Sequence, residues 1–133
     1  MLDQLTPEQV KAIFETVPME ITVIDAKDEV AGWNQHDKRL FKRPHSSMGV
    51  NFRECHPKES LHKVEQIVGE MKAGKRDKAR FYIDMTVKDG SKHKILIEFF
   101  ALRDETGKYL GCMECTQDVE SIRAISGEQR LLQ

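Results

Sequence analysis

The stretch "ARFYIDMTVKDGSKHKILIEFFALRDETGKYLGCMECTQDV", residues 79–119, decides the fold. Its opening alternates Phe81, Ile83, Met85 and Val87 with Arg80, Tyr82, Asp84 and Thr86, the two-residue period of a half-buried strand. "KDGSK" supplies an Asp-Gly hairpin turn, and the next strand is expected to start near Lys94. "KILIEFFAL" is apolar at both alternations except at Glu98, so part of each face needs cover, and the N-terminal helix is the candidate for the second cover. "RDETGK" turns the chain into a last strand. Three hairpin-linked strands imply an antiparallel sheet.

Upstream, "ECHPKESLHKVEQIVGEMKAG", residues 54–74, reads as one helix. Pro57 suits its first turn, Leu61, Val64, Val68 and Met71 recur on one face, and Gly74 stops it. Further back, Thr6 before Pro7 and Glu8 opens a short amphipathic helix carrying Val10, Ile13, Phe14 and Val17, which Pro18 ends. Residues 21–25 and 29–33 read as strands joined by a polar turn at Lys27 and Asp28, with Asn34 closing the second. A short helical piece, "QHDKRLF", and a loop broken by Pro44 and Gly49 lead to the long helix. After the last strand, Asp118 is a candidate N-cap, and Val119, Ile122 and Ile125 predict an exit helix. The class is α+β: one domain, with a helix over 1–17, a core over 18–118 and an exit helix over 119–133.

Composition bounds the function. The 133 residues are 39% hydrophobic and 32% charged with a net charge of -1, which suggests neither a nucleic-acid partner nor an acidic solvating tail. No apolar run is long enough for a membrane span, and "MLDQLTPEQV" lacks the regions of a signal peptide, so the expectation is a cytoplasmic protein with reduced thiols. "CMEC" has the spacing of a metal motif, yet Cys112 and Cys115 stand three apart on a predicted strand and so face opposite sides.

The element order, with "GWNQHDKRLF" after the second strand and "GKYLGCMECTQDVESIR" at the end of the last, resembles a PAS domain over nearly the whole chain. More narrowly, "VPMEITVID", "CHPKES", "GKRDKARFYI", "FALRDETGKYLGCMECTQDV" and "GEQRLL" resemble the PAS domain attached to hemerythrin-like modules in anaerobic bacteria and archaea. Lys58 stands where that family has a second proline, the hairpin over 87–94 looks longer, and with no hemerythrin module in the sequence a free-standing version is expected. The resemblance implies a PAS fold, with a five-stranded antiparallel sheet and helices on one face, and a sensory or interaction module rather than an enzyme. It also implies that Asn34 ends its strand by bonding the start of the next helix, and that the joint at Gln117, Asp118 and Val119 transmits the signal. The helix start of flavin photosensors has no match here.

A haem-binding PAS domain would hold iron through a histidine on the long helix, which makes His62 the metal-ligand candidate only if haem is bound. A helix advances about 100° per residue, so His62 lies roughly 140° from the centre of the apolar stripe and should face solvent. Cys55 and His56 stand at the helix start, where a lowered thiol pKa or anion binding competes with plain packing and capping. Inward-facing candidates for an apolar ligand are Ile24, Trp33, Phe41, Met71, Ile83, Met85, Ile97, Phe99 and Met113, a set that describes a core equally well. Arg43, His45, Arg53 and Lys58 form a basic run beside the helix start, able to receive an anion or simply be solvated. The terminal apolar residues Val10, Ile13, Phe14, Val17, Ile122, Ile125, Leu131 and Leu132 point to burial on the sheet or in a homodimer. The leading expectation is a small-ligand or partner sensor. A haem-based gas or redox sensor and a ligand-free dimerisation module stand beside it.

Overall fold

The computed structural model describes residues 1–132. Five strands, β1 (Glu20–Asp25), β2 (Val30–Trp33), β3 (Lys78–Thr86), β4 (Lys92–Arg103) and β5 (Tyr109–Asp118), form one antiparallel sheet in the order β2-β1-β5-β4-β3. The chain starts in the middle, crosses to one edge, and returns after its helices to build the other side. Hairpin β3–β4 closes where Val87 N–H donates to Ser91 O at 2.9 Å and Gly90 takes φ 86°, a value that favours glycine. β4 begins two residues before Lys94, because Thr86 pairs with Lys92 and Met85 with His93.

The register sorts the side chains into two faces. Ile97, Phe99 and Ala101 of β4 share a face with Thr116, Glu114 and Cys112 of β5, which in turn oppose Glu20, Thr22 and Ile24 of β1. This inner face receives α2 (Lys58–Lys72), whose Val64, Val68 and Met71 are buried as the stripe predicted. Met71 packs with Ala79, Phe99 and Cys112, while Val64 and Val68 pack with Phe52, and Ile24 touches both groups. Burying such side chains contributes about 1.5–3 kcal/mol each, which fixes the helix on the sheet.

Pro57 is the N-cap of α2 rather than its first helical residue. The far end closes as a Schellman motif: Gly74 N–H donates to Met71 O at 3.1 Å and Lys75 N–H to Glu70 O at 2.9 Å, with Gly74 at φ 74°.

Three expectations are corrected here. Helix α1 (Pro7–Thr16) starts with a reciprocal Thr6–Gln9 capping box but buries no residue, so it does not cover the second face of the sheet. Its last turn is tied instead to the β1–β2 edge, where Asn34 Nδ2 donates to Phe14 O at 2.7 Å and Gln35 Nε2 donates to Val17 O. The exit helix expected over 119–133 is a single turn, α3 (Glu120–Arg123), and residues 124–132 are not helical, residue 133 lying outside the described residues. Gly127 at φ 68° lies outside the helical region, and Ile122 and Ile125 are left exposed. Met113, expected to face inward, pairs with Val23 and Phe100 on the outer face, because one step along a strand reverses the side.

Candidate functional site

Glu114 is the residue that sets the site. It stands on β5 between Thr22 of β1 and Phe99 of β4, so the register puts a carboxylate in the middle of the inner face. Arg43, from the loop after the second strand, reaches it: Nη2 lies 3.1 Å from Glu114 Oε1, with both side chains more than four-fifths buried. Arg43 Nε also approaches Thr22 Oγ1, at 3.4 Å.

A second, deeper pair supports the first. Arg39 donates from Nη1 to the backbone oxygens of Ile21 and Asn34 at 3.1 and 3.0 Å, from Nη2 to Thr22 Oγ1 at 2.9 Å, and from Nε to Phe41 O at 2.9 Å. Its burial lowers the guanidinium pKa, which Glu20 opposes, and Glu20 itself accepts the N–H groups of Leu40 and Phe41. Both groups are held by several hydrogen bonds and fix the loop that presents Arg43.

Between α2 and the sheet lies a cleft of about 610 Å³. Phe41, Val64, Ile67, Phe81, Ile97 and Phe99 form its apolar wall, Arg43, Glu114 and His56 its polar part, and Pro57, Ser60 and Lys63 the helix-side rim. An inner recess of about 30 Å³ continues toward Ile24, Phe52 and Cys112, room for a single water. His56 lines both spaces. Its Nδ1 is 2.8 Å from Phe52 O, which can only accept, so Nδ1 donates, and in the neutral tautomer this selects, Nε2 is an acceptor.

Of the candidates named from the sequence, Phe41, Arg43, Cys55, His56, Ile97 and Phe99 meet at the cleft. His62 is exposed on α2 and lies outside it. Met71 is wholly buried in the core, Met85 sits toward the end of the edge strand, Met113 faces the other side, and Trp33 packs near His45 with ring centroids 6.3 Å apart. The basic run is dispersed: Arg53 binds Asp28 and Glu65, each at 3.0 Å, leaving Arg43 alone in the cleft. Asn34 does not reach the next helix. Its Oδ1 accepts Ile21 N–H at 2.6 Å while Nδ2 donates to Phe14 O and Met19 O. Glu114 went unnoticed, although a carboxylate in phase with Cys112 and Thr116 on a central strand was the available signal.

Cys112 and Cys115 do face opposite sides, paired with Ile24 and Ile21 respectively. Burial pushes the Cys112 thiol up to about 12 and that of Cys115 up to about 11, so neither is a ready metal ligand or nucleophile. At the chain's exit, His93 Nδ1 lies 2.6 Å from Asp118 Oδ2, while Asp118 Oδ1 accepts Glu120 N–H at 3.0 Å. Val119 N–H donates to Lys94 O at 2.9 Å and Lys94 N–H to Glu120 Oε2 at 2.8 Å, so α3 is stitched to β4.

A family model for the PAS domain matches residues 10–120. The chain belongs to the PAS domain family. A C-terminal domain from Streptococcus mutans is 27% identical, with 92% of this PAS chain and 91% of that one covered at a TM-score of 0.81. The PAS domain of a Colwellia psychrerythraea protein is 19% identical, with 86% and 97% covered at 0.60. The PAS domain of BvgS from Bordetella pertussis is 16% identical, with 87% and 90% covered at 0.61. These last two share the fold. No protein with a curated description matches.

Haem is the one prosthetic group the family resemblance raised, and the residues fit it poorly. His62 is outside the cleft, and the one histidine within it shares the space with an ion pair where a porphyrin face needs apolar contact. No helix is long and apolar enough to cross a membrane among the described residues.

Proposed function

We propose that this PAS domain is a small-molecule sensor whose ligand occupies the cleft between α2 and the sheet. One observation carries the reading: an apolar cleft of about 610 Å³ contains a few convergent polar groups, Arg43, Glu114 and His56, as ligand sites do. A ligand that binds one packing of α2 on the sheet better than another shifts the population toward it, by no more than its differential affinity. β5 links the site to the output, since Glu114 and Asp118 are four residues apart on one strand face. The finer likeness, to hemerythrin-associated PAS domains, rests on the quoted sequence motifs alone.

A second copy of the chain is the proposed partner. Ile13, Ile122 and Ile125 are at least half exposed at the two ends, which leaves apolar surface for an isologous contact.

The test is a fragment screen followed by amide NMR. Binders should move the resonances of Phe81, Phe99 and Glu114 together with those of Asp118–Arg123, and Ile67→Trp, which fills the cleft, should abolish both responses. Fragments that perturb only surface residues, or that act equally on Ile67→Trp, would sink the reading.

A further inference from the structure

We infer that the ligand is a neutral planar ring carrying an adjacent hydrogen-bond donor and acceptor, a lactam or hydroxy-substituted nitrogen heterocycle, and not an acid or an amine. This rests on the reading of the cleft as a ligand site and names the chemistry that the site accepts.

The charges decide it. Arg43 and Glu114 neutralise each other at 3.1 Å, Arg39 and Glu20 behind them are 3.8 Å apart and bonded mainly to the backbone, and the remaining charge, Lys63, stands exposed on the helix-side rim, where solvent screens it. A ligand carboxylate could take Arg43 only by displacing Glu114, leaving a largely buried carboxylate unpaired beside a second anion. A ligand ammonium would strand Arg43 in the same way. Both cost more than the new pair returns, because breaking one side of a buried pair leaves the other charge uncompensated.

A neutral ligand needs no such exchange. Glu114 uses only Oε1 and Arg43 only Nη2 and Nε, so among the described residues Oε2 and Nη1 make no hydrogen bond. Neither is a buried orphan, so both keep some accessible surface, on two residues that line the cleft. An unused acceptor and an unused donor therefore belong to one ion pair on the cleft's lining, the complement of an N–H and a C=O carried by one ring. Nε2 of His56 is a second acceptor on the same cleft. The ring has a wall to lie on: Phe81 and Phe99, with centroids 5.5 Å apart and planes at 43°, offer aromatic surface beside the ion pair.

Four probes of one ring size separate the possibilities: 2-pyridone, benzoate, benzylammonium and toluene, titrated at pH 7 into the full chain with dissociation constants read from amide NMR shifts at the cleft. The expected order has 2-pyridone at least ~10-fold tighter than the other three, since a site built for hydrogen bonds rejects analogues that leave its polar groups unpaired. Glu114→Gln should invert the order, with benzoate tightest on the freed Arg43, and Arg43→Gln should favour benzylammonium. The two variants sit on different elements, so a folding defect in one leaves the other to decide, with circular dichroism as the control. Preference of the native chain for benzoate or benzylammonium, or an order that neither variant changes, overturns the inference. Equal binding of all four overturns it too while leaving the cleft a ligand site. Absence of binding by any probe at millimolar concentration overturns both.

Discussion

Asn34→Ala gives the sharpest test of how the N-terminal part is assembled. The side chain is wholly buried and satisfies three backbone groups: Ile21 N–H, Phe14 O and Met19 O. Phe14 O would ordinarily accept from the residue four positions on, but that residue is Pro18, which has no N–H, so Asn34 Nδ2 supplies the missing donor. Alanine leaves all three unpaired. A buried orphan costs about 1–3 kcal/mol. Taking about 2 for the fully buried Ile21 N–H and about half that or less for each part-buried carbonyl gives roughly 3 kcal/mol. Domains are stable by only about 5–15 kcal/mol, so this is a large fraction. With a urea m-value of about 2 kcal/mol/M, the midpoint should fall by roughly 1.5 M with m unchanged. A loss below about 1 kcal/mol would refute the reasoning, because water would then be reaching groups described here as buried.

Three further outcomes are expected. Gly111→Ala, at φ 152° with a Cβ that would sit 2.2 Å from Ile24 O, should cost at least about 2 kcal/mol in urea denaturation, and a neutral result would show that the β1–β5 pairing can open there. Asp118 raises the pKa of His93 above 6.5, and His93 lowers that of Asp118 below 3.8. The His93 contribution is therefore complete below 6.5 and lost as pH rises through its raised value, and the Asp118 contribution is complete above 3.8 and lost as pH falls through its depressed one. Exchange of the Val119 and Lys94 amides, corrected for intrinsic rates, should be slowest between pH 4 and 6 and quicken above the His93 transition; a profile unchanged in His93→Gln would disprove this. At pH 8 a disulfide reagent should modify Cys55 first, since Cys112 and Cys115 are buried with raised pKa values, and equal rates for all three thiols would contradict that burial.

The sheet and the long helix were legible in the sequence because both depend on local periodicity and turn chemistry. Phe81 to Val87 alternate whatever lies beside them, and Val64, Val68 and Met71 can share a face only on a helix. The cleft was legible only in part. Phe99 follows from its strand, but the pairing of Arg43 with Glu114 joins residues 71 positions apart, and no local pattern announces it. Asn34 could be read as a strand terminator, whereas its partners on α1 depend on Pro18 leaving a carbonyl free. The single-turn exit helix shows the limit of a three-residue apolar spacing. Val119, Ile122 and Ile125 satisfy the pattern, but tertiary contact stabilises a helix more than spacing does, and Ile122 and Ile125 are exposed.

Helix α2 is fastened unequally along its length. At its C-terminal end Arg103 Nη2 donates to Met71 O at 2.6 Å, Lys72 pairs with Asp28 at 2.8 Å, and the Gly74 turn closes the last carbonyls. At the other end Pro57 provides no side-chain cap, and it is this half, through Pro57, Ser60, Lys63 and Val64, that borders the cleft. A swing about Met71 that widened the gap at Pro57 would have to loosen the packing of Val64 on Phe52 and the Arg53–Glu65 pair. A ligand of the kind proposed above would then enter at the Pro57 end, while the core around Met71 stayed closed.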